Sequence, residues 1–199
     1  MTDAQAIEGF VAKVAERMGG IDMVVCNVGG AQDKGSLEAT DEECMATLDI
    51  NLLHTVRTIR ATVPLMAGKG GGSIVIVSSI SGWKPGPVAQ YGAAKAAEIF
   101  LASTLAWELS LQRIRVNTVC PGSILFPGGS WERFQQENRD HFDRFLEREL
   151  PEKRLGSDQE VADVITFLLS DRARWVNGAL IPVDGAQGRP TARWFGEAR

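Results

Sequence analysis

Apolar residues recur at three- and four-residue steps from Ala4 through Ile7, Val11, Val14 and Met18, and the pattern stops at Gly19-Gly20. That spacing lines one face of a helix, so an amphipathic helix is predicted from Asp3 onward. The valine-rich run "IDMVVC" follows and closes on "NVGG", which reads as a buried strand entering a tight turn. From Thr40 a long helical segment runs through "DEECMATLDINLLHTVRTIRATVPLM", and "AGKGGG" ends it before the β-branched run "SIVIVSS". Residues 90–111 are predicted as another helix, "RIRVNTVC" as another strand and "CPG" as the turn that breaks it. Within "WERFQQENRDHFDRFLEREL", Trp131, Phe134, Phe142, Phe145 and Leu146 share one helical stripe among many charges. Residues 158–169 form a further helix, "GALIPV" a last strand, and the tail from Gly188 is expected to be loosely held.

Strands that alternate with helices predict a parallel sheet covered on both faces, the doubly wound α/β class. The pattern supplies about four strands, and the chain opens on a helix with nothing before the first of them. At 199 residues, one domain with a real core is expected. Its boundary is set at residues 1–187, with 188–199 as a tail.

Hydrophobic residues at 44% and charged residues at 23% are those of a globular protein. A net charge of -4 argues against a surface that tracks nucleic-acid phosphates. No apolar run approaches a membrane span, and the start lacks the pattern of a signal peptide. Cys26, Cys44 and Cys120 are odd in number and scattered, so they read as reduced thiols rather than a metal site. A cytoplasmic protein with no metal, nucleic-acid or membrane partner is expected.

The chain has a single tyrosine, Tyr91, placed in "YGAAK" four residues before Lys95. On a helix the two project from the same face. A free phenol titrates near 10, so about 4 kcal/mol must be removed from its ionisation for easy proton exchange at neutral pH. An ammonium beside it would do that, and Lys95 is expected to lower Tyr91. Upstream, "SIVIVSS" ends at Ser78-Ser79, at the carboxyl end of a strand, where ligands of parallel sheets bind. Asn51 is a lone amide within an apolar and charged helix.

Ser, Tyr, Lys and Asn in this arrangement resemble the short-chain dehydrogenase/reductase family. The resemblance runs from "GGIDMVVCNVGG" through "LDIN", "SIVIVSSISG", "YGAAKAA" and "IRVNTVCPGSI" to "GALIPVDG". It implies a Rossmann-type domain that moves a hydride between NAD or NADP and the carbon of an alcohol or ketone. Tyr91 is then the general acid/base, and Lys95 lowers it and holds the nicotinamide ribose. Ser79 holds the substrate oxygen, with Ser78 as the alternative, and Asn51 anchors water next to Lys95. Asn27 and Gly29 shape the turn beside the adenosine ribose, although Cys26 and Val28 depart from the family's turn. Pro121, Gly122 and Ile124 meet the nicotinamide amide, and Phe126 departs from a threonine common in the family.

The resemblance also implies what is missing. Met1-Thr2-Asp3 aligns just after the family's third strand, so an N-terminally truncated fold is expected, without the glycine-rich phosphate turn or the residue that selects NAD over NADP. Two readings stay open: a dehydrogenase, or a silent remnant serving as an oligomerising scaffold. The family's dimers pack through the two long helices around Asn51 and Tyr91, which implies a homodimer or homotetramer. Sugar epimerases and dehydratases share the Tyr-x-x-x-Lys spacing, but they carry a larger C-terminal substrate part. "GKGGGS" reads as a plain helix-to-strand turn, His54 and His141 as surface residues, and the aromatic stripe after Ile124 either as core or as a mobile substrate lid.

Overall fold

Asp3 starts the first helix, α1 (Ala4–Met18), by accepting the backbone N–H groups of Gln5 and Ala6, and Gly19 ends it in the left-handed region at φ 73°. The computed structural model describes residues 2–30, 35, 37–86 and 88–188. After α1 come β1 (Met23–Cys26) and α2 (Asp41–Leu48). A reciprocal capping box between Thr40 and Glu43 starts α2. One turn of π-helix, Asp49–Leu53, joins α2 to α3 (His54–Gly68).

The rest alternates as the pattern predicts. β2 (Gly72–Val77) leads through a short 3-10 turn at Ile80–Gly82 to α4 (Ala89–Glu108), and β3 (Ile114–Pro121) follows. Then come β4 (Ile124–Leu125), α5 (Ser130–Glu137), α6 (Arg139–Glu149), β5 (Gly156–Ser157), α7 (Asp158–Leu169) and β6 (Leu180–Val183). The "AGKGGG" segment is indeed a helix-to-strand turn. Gly71 sits at φ 132°, where a Cβ would lie 2.5 Å from the Arg113 carbonyl, so only glycine fits.

The main sheet is parallel, in the order β1-β2-β3-β6. One face buries Ile7, Val11, Ile59, Met66, Ala102 and Ala106 from α1, α3 and α4 against Val24, Ile74, Ile76 and Val116. The other packs Val161 and Leu168 of α7 on Val75 and Val119. This is the doubly wound α/β arrangement.

Three details differ from the sequence pattern. β1 is only half-buried, with Met23 57% and Val25 42% exposed, because among the described residues α7 covers β2 and β3 on that face and no strand pairs with the outer edge of β1. The aromatic stripe is broken at Asn138, whose φ of -138° and ψ of 51° leave the helical region. The break lets α5 and α6 meet: Trp131 stacks on Phe145 with ring centroids 4.5 Å apart and meets Phe134 edge-on at 5.8 Å. The stripe is therefore a small core of its own with Leu150 and Leu155. Finally, His54 is buried, at 1% exposure, rather than on the surface.

Among the described residues no helix is long and apolar enough to cross a membrane. The three cysteines are free thiols. Apart from Gly188, the expected tail lies outside the described residues.

Candidate active site

The carboxyl ends of β1, β2 and β3 open into a cleft of about 630 Å³, a size suited to a small molecule. Asn27, Gly29, Ser79, Tyr91, Lys95, Pro121, Gly122 and Ile124 all line it. Thus the residues singled out by the sequence converge, apart from Asn51, which stands behind the cleft wall. The far side is closed by Phe126, Trp131 and Val161.

Asn51 owes its place to the π-turn, which re-aims one helical position toward the loop after β1. Its amide donates to Gly30 O at 2.9 Å and Thr47 O at 2.8 Å, and its Oδ1 accepts from Gly30 N at 3.2 Å. Fully buried, it clamps the "NVGG" turn to α2. Gly29 has no room for a side chain there: a Cβ would stand 2.5 Å from Asn51 Oδ1 and 3.1 Å from Lys95 Nζ. Gly29→Ala is therefore expected to cost about 1–3 kcal/mol of stability through overpacking, seen as a lower urea midpoint at unchanged slope. A midpoint equal to that of the unaltered chain would show that the clamp can give way.

The two serines at the end of β2 have different surroundings. Ser78 is buried and donates to Lys95 O at 2.8 Å, so its hydrogen is committed to the backbone of α4. Ser79 accepts from Ser81 N at 3.1 Å, and its hydroxyl favours the ionised form of the Tyr91 phenol. Both line the cleft, and of the two only Ser78 has its hydrogen taken by the backbone of α4.

Lys95 lies with its Nζ 5.7 Å from the centre of the Tyr91 ring, as the helical spacing predicts. Its Nζ donates to Val77 O at 3.2 Å and to Glu98 Oε2 at 2.9 Å. The expected lowering of Tyr91 is not found. Burial pushes the phenol above its ordinary value, the Ser79 hydroxyl opposes the rise, and the Glu98 carboxylate adds to it. Burial is the main cause, and the Lys95 ammonium is paired with Glu98, which sits at 0% exposure.

Sequence reasoning missed Glu98. The available signal was its place seven residues after Tyr91 and three after Lys95, a spacing that keeps a carboxylate on the same helical face amid alanines. Its Oε1 accepts from Thr55 Oγ1 at 3.2 Å, and Thr55 in turn lies 3.4 Å from His54 Nε2. Burial holds the Glu98 carboxyl above its usual range despite Lys95 and Thr55. Burial also drives His54 down and raises Cys26 to about 12 and Cys120 to about 11. Both thiols are thus protonated at neutral pH, which removes them as nucleophiles.

The loop after β3 is fastened at its far end. Gln187 Oε1 accepts from Ser123 N at 2.7 Å, Gly122 N donates to Val183 O at 3.0 Å, and Lys84 Nζ pairs with Asp184 at 2.7 Å. Gly122 runs against Asp184 and Gln187 with no space for a Cβ, so Pro121, Gly122 and Ile124 are held as one rigid wall. Such a site offers a fixed hydroxyl pair, a cation, bare backbone and an apolar side. Among the described residues no group of three or more His, Cys, Asp or Glu could hold a metal.

Residues 1–186 match the family model described as enoyl-(acyl carrier protein) reductase. The chain is 37% identical over 187 residues to 3-oxoacyl-(acyl-carrier-protein) reductase FabG of Thermotoga maritima, covering 93% of this chain and 73% of that protein. Another curated relative is covered over 65% of its length, so the chain spans about two thirds to three quarters of such proteins. Among solved structures, L-sorbose reductase from Gluconobacter frateurii, complexed with NADPH and L-sorbose, superposes with a TM-score of 0.85 at 30% identity, over 92% of this chain and 73% of that one. Carveol dehydrogenase from Mycobacterium avium, in complex with NAD, gives 0.83 at 30% identity, over 92% and 71%.

Proposed function

The chain belongs to the short-chain dehydrogenase/reductase family, and from that premise we propose that it is an oxidoreductase interconverting an alcohol and a ketone with NAD or NADP. One observation carries this reading: Ser79, Tyr91 and Lys95 meet in a single cleft at the carboxyl ends of the strands. The bound nicotinamide supplies hydride chemistry at the substrate carbon.

The protein's own groups manage the oxygen. Tyr91 gives its proton to the carbonyl oxygen in reduction and takes it back in oxidation. Ser79 donates to the same oxygen as negative charge develops, a role that depends on position. Its oxygen accepts the Ser81 N–H at 3.1 Å, which helps to fix the hydroxyl in place. Lys95 has three N–H groups, and Val77 O and Glu98 take two, which leaves one for a ribose hydroxyl. The bare backbone at Gly29 and Gly122 and the apolar Ile124 suit a flat nicotinamide nucleoside. Asn51, tied to Gly30, holds the loop that would flank the adenosine side, with Asn27 at its start.

Phe126 and Trp131 across the cleft favour an apolar or ring-bearing alcohol or ketone. Phe100, Trp107 and Leu111 stand exposed along the outer side of α4 and its extension, which supports pairing with a second copy through that helix. The test is a fluorescence titration with NADPH and NADH, followed by reduction of a panel of cyclic and open-chain ketones. Binding of one cofactor and its oxidation by a ketone are expected. No binding at millimolar cofactor would leave the scaffold reading in its place.

A further inference from the structure

Lys95, Glu98 and Thr55 form a chain of contacts under the cleft with a carboxylate at its centre. Ion pairing at this depth is expensive unless both charges are held by further hydrogen bonds. Here they are: Lys95 also reaches Val77 O at 3.2 Å, and Glu98 also receives Thr55 Oγ1 at 3.2 Å. Lys95 and Glu98 are 3% and 0% exposed. Tyr91, Lys95 and Glu98 succeed each other on one face of α4 at steps of four and three residues. The ammonium therefore stands between a phenol and a carboxylate.

We propose that Glu98 is a positioning residue of this site: it holds the Lys95 ammonium and draws its charge away from Tyr91, so that the ease with which the phenol exchanges its proton is set by Glu98 as well as by Lys95. The proposal rests on the reading of Tyr91 as the proton-exchanging group. The other titratable groups around Glu98 do not offset it. His54 on α3 is kept neutral by burial, and Cys26 on β1 and Cys120 on β3 are buried thiols held protonated. Geometry assigns the rest, since Glu98 contacts the lysine and not the cleft. Its action on chemistry passes through Lys95.

The chain's single tyrosine makes this directly measurable, because the near-ultraviolet tyrosinate absorbance reports Tyr91 alone. Glu98→Gln keeps the shape and a hydrogen-bonding oxygen but removes the negative charge. Titration of Tyr91 in the folded, cofactor-free chain is expected to fall by about one pH unit, the sense of an ammonium no longer neutralised. The pH limb of turnover with a ketone should move downward by the same amount, with little change in KM for the cofactor. If the chain proves to have no turnover, the absorbance titration still decides the matter for Glu98. An unchanged Tyr91 titration would overturn the proposal, even in an active enzyme. Should Glu98→Gln fail to fold, Glu98→Met removes the same negative charge at similar volume and is expected to shift Tyr91 the same way. No movement there would equally overturn it.

Discussion

Tyr91→Phe is expected to lower ketone reduction by roughly 100- to 10,000-fold or more while cofactor affinity stays nearly unchanged. The substitution keeps the ring that lies under the Lys95 ammonium and removes only the hydroxyl. The serine hydroxyls at the end of β2 and the nearby thiols are poor replacements for that proton. Ser78 is committed to the backbone of α4 and Ser79 donates without being a strong acid, while the nearby thiols are held far above neutrality. Turnover is followed by nicotinamide absorbance and binding by its fluorescence. Retention of ordinary turnover would remove Tyr91 from the role of acid.

Lys95→Met should cost about 3–5 kcal/mol of stability near neutral pH, because it strands a buried carboxylate without its cation. The loss has a pH signature. Burial already holds the Glu98 carboxyl above its ordinary range, and removing Lys95 takes away a group that lowers it. A carboxyl raised on folding contributes its full stability below its unfolded value and loses it as the pH climbs through its folded value. The deficit of Lys95→Met is therefore smallest in acid, below about 4.5, and grows toward alkaline pH. Urea unfolding at several pH values measures it. A deficit that is the same at every pH would mean that Glu98 is not the group left stranded.

The elements that position the cleft are legible because their signals are local. Asp3 and Gly19 bracket α1, Thr40 with Glu43 opens α2, and the β-branched run makes β2. The meeting of Tyr91 and Lys95 is equally readable, since a helix fixes it by spacing alone. Other features depend on partners far away in the chain. His54 looks like a surface histidine until α3 is packed, and Glu98 looks like a solvated charge until Lys95 and Thr55 close on it. The choice between Ser78 and Ser79 turns on which hydroxyl the α4 backbone claims, and no local pattern encodes that. The π-turn at Asp49–Leu53 has no propensity signature, yet it aims Asn51. Asn138 breaks an otherwise regular stripe because Trp131 gains ring partners from both halves.

Along its outer flank β1 leaves a row of main-chain amides and carbonyls unmatched by any described strand, next to the exposed side chains of Met23 and Val25. A ribbon border of this kind is adhesive in a direction-specific way, since whatever lies against it must itself be extended. If self-association starts there, charged replacements confined to those two side chains are expected to reduce it, as light scattering at rising protein concentration would show.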